Sequence, residues 1–364
     1  MSAHYDVLAV SSPENMLEEV SIHEGVRTAS VYMTRSITPA QDIKALWELY
    51  RLFKREKPAI VHTHTPKAGL RGMIASRLAG VPIRLHTVAG MPLMESKGVK
   101  KKILQRTEQL TYLCATKVYP NSRNLAEFIC LNKFCNKNKL KVLGNGSSNG
   151  IDTDYFQCTP AIRSVADELK KRWNLAEENF IFLFIGRVVR DKGIEELVEA
   201  FIQLKNNFTG IKLLIVGPYE QHLDPISETI KRTIELDPDI IHEGFQQDIR
   251  PYLSLSHVLT FPSYREGFPN VPMQAGCFDL PSIVTDINGC NEIIEHENNG
   301  LIIPVKDPEA LRLAMLSLMS DKALYAKLKR NARKMILDRY DQNKFWNLLL
   351  DEYQRELKDN EILS

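Results

Sequence analysis

No apolar run in this chain approaches the ~20 residues that a bilayer-spanning helix needs. The opening, MSAHYDVLAV, lacks a charged segment leading into a long apolar stretch, so export is not expected. The six cysteines, Cys114, Cys130, Cys135, Cys158, Cys277 and Cys290, form no C-x-x-C pair and no metal-ligand spacing. They read as reduced core thiols of a cytoplasmic protein. Val61-His62-Thr63-His64 would put two imidazoles on one face of a strand. No third Cys, His or acidic ligand lies nearby in sequence, so no metal is expected. There is no helix-turn-helix, zinc finger or aromatic RNA platform, and nucleic acid is not an expected partner. Repeats and low-complexity tracts are absent as well.

What is present is an ordinary globular composition on a chain long enough for more than one core. Of 364 residues, 44% are hydrophobic and 25% charged, and that length favours two domains. The net charge of +2 conceals an asymmetry. Residues 1–150 hold 22 Lys and Arg against 11 Asp and Glu, a net of +11, and the remainder nets −9. A basic first half calls for an anionic partner; by charge alone nucleic acid, a phosphorylated substrate and an anionic membrane face all fit.

Apolar strands alternate with amphipathic helices. In the first half the strands are Tyr5–Ser11, Ala59–His62, Ile83–Thr87 and Lys117–Pro120. Helices cover Ala45–Lys54, Leu70–Ala79 (stopped by Gly80) and Lys100–Ala115, and another starts after Asn121 and Ser122. Residues 141–154, KVLGNGSSNGIDTD, read as a hinge. The alternation then resumes with strands Phe180–Ile185, Ile211–Val216, Ile240–His242, Val258–Phe261 and Ser282–Thr285. Their helices are Ile194–Leu204, Pro225–Leu236, Ile249–Leu255 and Val271–Cys277. Such alternation calls for parallel sheets covered by helices on both faces. Each half is therefore expected to be one doubly wound unit, with ligands at the carboxyl ends of its strands. A last helix, Lys344–Leu357, places Phe345, Leu348, Leu349 and Tyr353 on one face. The first half lacks the usual opening strand and glycine turn, and is expected to begin at its second strand.

Three segments carry chemistry. In residues 261–294 a buried strand ends at Phe261, then Glu266-Gly267-Phe268-Pro269-Asn270 forms a turn before a helix. Backbone N–H groups there suit an anion or a sugar hydroxyl, and Glu266 is an acceptor able to orient hydroxyls; a plain helix start with a capping acid is the alternative. In residues 182–201 a strand runs into Gly186-Arg187, then Asp191-Lys192-Gly193. Arg187 and Lys192 on one loop can converge on a diphosphate in place of a metal, or form a solvated basic loop. Val216-Gly217-Pro218 is a further strand-end turn. Separately, Lys97, Lys100, Lys101, Lys102 and Arg106 surround Val99, Ile103 and Leu104, a pattern suited either to an anionic leaflet or to a solvated helix face.

Taken together, Gly186-Arg187, Lys192-Gly193, Gly217 and Glu266–Asn270 resemble the donor-binding half of the GT-B retaining glycosyltransferases of family 4. HTHTPKAGLRGM (62–73), HTVAGMP (86–92) and NGID (149–152) resemble its bacterial capsular and O-antigen branch. The similarity covers nearly the whole chain. It implies two Rossmann-like domains facing across a cleft: an acceptor-side domain over 1–148 onto which 343–364 packs back, and a donor domain over 149–342. It further implies Arg187 and Lys192 on the donor diphosphate, Glu266 on the donor hexose, and Gly186, Gly217, Gly267, Phe268, Pro269 and Asn270 around sugar and nucleotide. His86 matches the family's cleft histidine, a hydrogen-bonded core histidine being the alternative, and Lys67 and Gly69 fall on the acceptor side. The family's second glutamate, which binds ribose, is here Gln274, an acceptor without charge. The implied reaction is metal- and cofactor-independent, retaining transfer of a hexose or N-acetylhexosamine from a UDP-sugar to a polyprenyl-diphosphate-linked glycan. Its implied place is the cytoplasmic face of the inner membrane, contacted through Lys97–Arg106. The rival readings are a UDP-sugar epimerase of the same fold and a non-catalytic glycosyltransferase-like subunit.

Overall fold

The computed structural model describes residues 1–13, 15–33, 38–91, 93, 96–220 and 224–362. Contacts divide the chain into two compact units, Met1–Ser148 with Trp346–Ser364, and Asn149–Phe345.

The first unit runs β1 (Leu8–Ser11), α1 (Asn15–Glu24), β2 (Arg27–Ser30), α2 (Pro39–Glu56), β3 (Ile60–Thr63), α3 (Pro66–Ala79), β4 (Ile83–Val88), α4 (Gly98–Cys114), β5 (Lys117–Pro120) and α5 (Arg123–Leu131). The sheet comes in two pieces. β1 pairs in parallel with β2, and β3-β4-β5 form a separate parallel sheet with Thr63 opposite His86. Among the described residues no ladder joins the pieces, so β3 has β4 as its one neighbour. α1 and β2 fall where the sequence pattern left residues 12–44 unassigned. β2 is the four-residue RTAS, with no apolar run to mark it.

Local chemistry explains the helix ends. α3 begins at Pro66, where a missing N–H costs nothing, and stops at Gly80 in the left-handed conformation (φ 80°). Ser122 caps α5 by accepting from the Leu125 amide. Leu49, Phe53, Val61, Met73, Val88, Leu125 and Ile129 form the core.

The second unit continues with α6 (Pro160–Arg172), β6 (Phe180–Ile185), α7 (Ile194–Lys205), β7 (Ile211–Val216), α8 (Glu228–Leu236), β8 (Ile240–His242), α9 (Arg250–Leu255), β9 (Val258–Phe261), α10 (Asn270–Gly276), β10 (Ser282–Thr285), α11 (Cys290–Ile293), β11 (Gly300–Ile303), α12 (Pro308–Ser320) and α13 (Lys322–Tyr340). Its six parallel strands lie in the order β11-β10-β9-β6-β7-β8. Helices cover both faces, so β6 (FIFLFI) and β7 (IKLLIV) are nearly continuous apolar runs rather than alternating ones. Leu183, Ile185 and Leu214 point into one apolar layer, Phe182, Phe184 and Ile215 into the other. Each such side chain contributes roughly 1.5–3 kcal/mol by leaving water. The strand order reverses between β6 and β9, so the loops leaving these two strands begin side by side and diverge.

The final helix α14 (Gln342–Asp359) buries Phe345 and half-buries Leu349 and Tyr353 of the expected apolar stripe, and adds buried charge to it. Leu348 is 43% exposed, whereas Glu352 and Glu356 are buried. Glu352 takes the Tyr119 hydroxyl at 3.0 Å and pairs with Lys141, and Tyr353 meets His62 Nδ1 at 2.5 Å. The sheet presents polar groups to this helix, so buried charges with partners stand beside the apolar contact made by the buried Leu357.

Candidate functional site

The site in the second unit is assembled where the β6 and β9 loops meet. After β6 the chain passes Gly186 and Arg187, makes a short turn over Arg190–Lys192, and enters α7 through Gly193. Gly193 has φ +70° and lies against Pro262, just past β9, with no room for a side chain. The Tyr264 amide donates to the Asp191 carbonyl at 2.9 Å and ties the two loops together. This brings Lys192 Nζ to 2.5 Å from Glu266 Oε1, an oxygen that also accepts from Ser263 Oγ at 2.9 Å. The two side chains are 14% and 16% exposed, so the pair is mostly withdrawn from water and its Coulomb attraction is only partly screened.

Arg187 is held elsewhere. Its guanidinium donates to Glu220 at 3.0 Å and is 42% exposed, a pairing worth little to stability and open to exchange for another anion. Arg187 and Lys192 are thus each engaged by a carboxylate of their own. Gly186 and Gly217, at the ends of neighbouring β6 and β7, stack backbone on backbone. The Glu266–Asn270 turn buries Pro269, rests the Phe268 ring 5.5 Å from Tyr340, and leaves Asn270 exposed at the start of α10. Gln274 is half-buried on α10, and its side chain has no hydrogen-bond partner among the described residues.

In the first unit His86 is buried at 1% exposure, with Nδ1 2.8 Å from Thr63 Oγ1. Burial, and secondarily His64, pushes its pKa down to about 4, so the ring is neutral at physiological pH. Gly69 backs directly onto this ring, and any side chain there would strike it. Lys67 instead turns to Asp42 at 3.0 Å, a carboxylate also held by Arg71. The His62 and His64 rings lie 4.2 Å apart, but His62 is engaged by Tyr353 and Thr87. No group of three metal-capable side chains occurs among the described residues.

Sequence reasoning singled out the lysine and the glutamate but not their contact, nor the Ser263 hydroxyl that donates to the same carboxylate. It also passed over Asn288-Gly289, although an Asn-Gly pair just after an apolar strand is a turn signal. Chemically, the second unit offers two cations, a carboxylate and unengaged backbone amides around one loop junction. That set is suited to an anion joined to a polyol.

Two family descriptions match the chain. Residues 165–335 match "Glycosyl transferases group 1", and residues 2–146 match "Glycosyl transferase 4-like domain". The chain is 31% identical over 357 residues to the capsular polysaccharide biosynthesis glycosyltransferase CapM of Staphylococcus aureus, covering 98% of this chain and 91% of that one. It is 30% identical to the Escherichia coli UDP-Gal:alpha-D-GlcNAc-diphosphoundecaprenol alpha-1,3-galactosyltransferase, over 88% of this chain and 81% of the relative. In three dimensions it is similar to Anabaena HepE, solved in complex with UDP, with a TM-score of 0.80 at 17% identity over 96% and 92% of the two chains.

Proposed function

The chain belongs to the group 1 glycosyl transferases and has the GT-B fold, and from that premise we propose which transfer it performs. A hexose or N-acetylhexosamine moves from a UDP-linked donor to a polyprenyl-diphosphate-linked glycan in surface polysaccharide synthesis, with anomeric configuration retained. One observation carries this reading: a lysine and a glutamate from the loops after two different strands meet at the switch point of a parallel sheet. A diphosphate arriving there takes the Lys192 ammonium, and the released Glu266 carboxylate accepts from the sugar hydroxyls. Charges exchange partners, so none is left buried alone. Arg187 leaves Glu220 to join the same diphosphate as a planar fork. These two cations and the amides of Phe268 and Asn270 stabilise the departing UDP, and no metal or other cofactor is invoked. Gln274 accepts from the ribose as a neutral side chain. In the first domain the contact with the reacting sugar is assigned to neutral His86, and the acceptor side to Gly69 and Lys67. The name of the E. coli relative, a galactosyltransferase acting on a diphosphoundecaprenol-linked sugar, supports the acceptor class.

The acceptor's lipid fixes where the protein works. No helix among the described residues is long and apolar enough to cross a membrane. α4 instead exposes Val99 (74%) and Ile103 (51%) beside Lys100, Lys101, Lys102 and Arg106. We assign this face to the anionic cytoplasmic leaflet, each cation contributing ~1 kcal/mol near such a surface.

Incubation with UDP-galactose, UDP-glucose or UDP-GlcNAc and an undecaprenyl-diphosphate-GlcNAc acceptor tests the reaction. One of these donors should release UDP and lengthen the glycan by one sugar, and only when acceptor is present. A new UDP-sugar formed without acceptor would identify an epimerase instead, and donor binding without turnover a non-catalytic subunit.

A further inference from the structure

Asn288, in the loop after β10, grips the turn that carries Glu266. Its Nδ2 donates to the Gly267 carbonyl at 2.5 Å and, at the longer distance of 3.4 Å, to the carbonyl of Glu266. Gly289 follows with φ +77°, pressed against the same turn. A Cβ there would come within 2.6 Å of Gly267 O and 2.9 Å of Phe268 Cα. The loop and the turn are therefore layered backbone on backbone, with the Asn288 amide as the clasp.

Peptide stereochemistry draws the consequence. In a trans peptide the carbonyl and the following N–H point in opposite directions, and the described residues hold no cis peptide bond. Aiming the carbonyls of Glu266 and Gly267 at Asn288 turns the N–H groups of Gly267 and Phe268 away from it. Neither N–H donates to any group among the described residues. Two consecutive donors are thereby held ready on the face of the turn opposite Asn288, with no reorganisation left to perform.

We infer that Asn288 is a positioning residue for sugar transfer, holding the Gly267 and Phe268 amides toward an acceptor oxygen of the nucleotide sugar. The inference rests on the reading of this turn as the donor site. The oxygen belongs either to the diphosphate or to a sugar hydroxyl, and both present the same lone pairs to the amide pair.

Asn288→Asp tests it, because it keeps the size but faces both carbonyls with a carboxylate that cannot donate. Asn288→Ala serves should the aspartate variant not fold. Either variant should lower kcat/KM for the UDP-sugar donor roughly tenfold or more, chiefly through kcat, with a parent-like melting temperature. In labelled parent protein the Gly267 and Phe268 amide resonances should shift on ligand addition, and in the variants they should not. A shift with UDP alone places the diphosphate on the amides, and a shift with UDP-galactose or UDP-GlcNAc only places the sugar there. Parent-like turnover in a folded variant, or unmoved amides in the parent, overturns the proposal. Glu266→Ala separates the two readings: if it too turns over normally, the donor-site assignment has failed. The ligand-free carbonyl shifts of Glu266 and Gly267, which should move in Asn288→Asp, then decide the clasp alone.

Discussion

Lys192 Nζ lies 2.5 Å from Glu266 Oε1, and Ser263 Oγ donates to that same carboxylate oxygen. Removing the ammonium leaves a shielded carboxylate with a hydroxyl as its remaining partner. Lys192→Ala should therefore cost ~1–3 kcal/mol of UDP affinity and also lower the melting temperature. Arg187→Ala should cost a similar amount of affinity while leaving stability nearly unchanged, because its pairing with Glu220 is exposed. Calorimetry with UDP measures both. Parent-like binding in the two variants would move the diphosphate elsewhere.

The Gln274 side chain makes no hydrogen bond among the described residues, so its replacement disturbs no existing partner. Gln274→Glu should keep the fold and keep or improve UDP affinity, since a carboxylate accepts more strongly from ribose hydroxyls than an amide oxygen does. A large affinity loss at an unchanged melting temperature would refute the ribose assignment.

Changing Lys100, Lys101 and Lys102 together to Glu reverses the charge of the exposed α4 surface without touching its buried side. Binding to vesicles containing anionic phospholipid should be lost, while UDP binding stays within about twofold of the parent. Retained sedimentation with such vesicles would place the membrane contact on another surface.

Acid should destabilise the protein before its carboxylates titrate. Burial pushes both His86 and His257 down to about 4, and His257 Nδ1 accepts the Ile181 amide, a bond that a proton there abolishes. Unfolded histidine titrates near 6.5, so between 6.5 and 4 the unfolded chain binds protons that the folded chain refuses. Stability is full above about 6.5 and falls as pH drops, at up to roughly 1.4 kcal/mol per pH unit for each histidine. Melting temperatures from pH 7 to 5 measure this, and His257→Gln should flatten the decline. A pH-independent melting temperature across that window would contradict the buried, neutral histidines.

The edge of β3 gives a separate handle. β6 is flanked by β7 and β9, whereas β3 pairs with β4 alone among the described residues. Amides of Ile60–Thr63 should exchange with deuterium faster than those of Phe180–Ile185. Equally slow exchange in both would mean that the free side of β3 is covered in solution.

Much of the framework was legible without coordinates. Phe180–Ile185, Ile211–Val216, Ile240–His242, Val258–Phe261 and Ser282–Thr285 stand in the structure with the bounds their apolar runs indicate. A buried parallel strand must be apolar on both faces, and that demand is local. α6, α12 and α13 went unassigned although Thr159, Asp307 and Asp321 cap them in the usual way. β2 and α1 had no comparable signal, since short and half-exposed elements are held by neighbours rather than by their own pattern.

The sequence by itself determined which residue types stand at the ends of the strands: Arg187 and Lys192 after one, Glu266 after another, Asn288-Gly289 after a third. It did not determine that these ends are neighbours. The tertiary structure decided that, by setting β9 beside β6 and β10 beside β9. Residues 74 positions apart then share a hydrogen bond, and an asparagine 21 positions beyond Gly267 clasps its carbonyl. The physical reason is that strand order is a property of the whole apolar core. Many similar apolar strands can pair in many orders, and the order that buries both sheet faces completely is selected by all of them together.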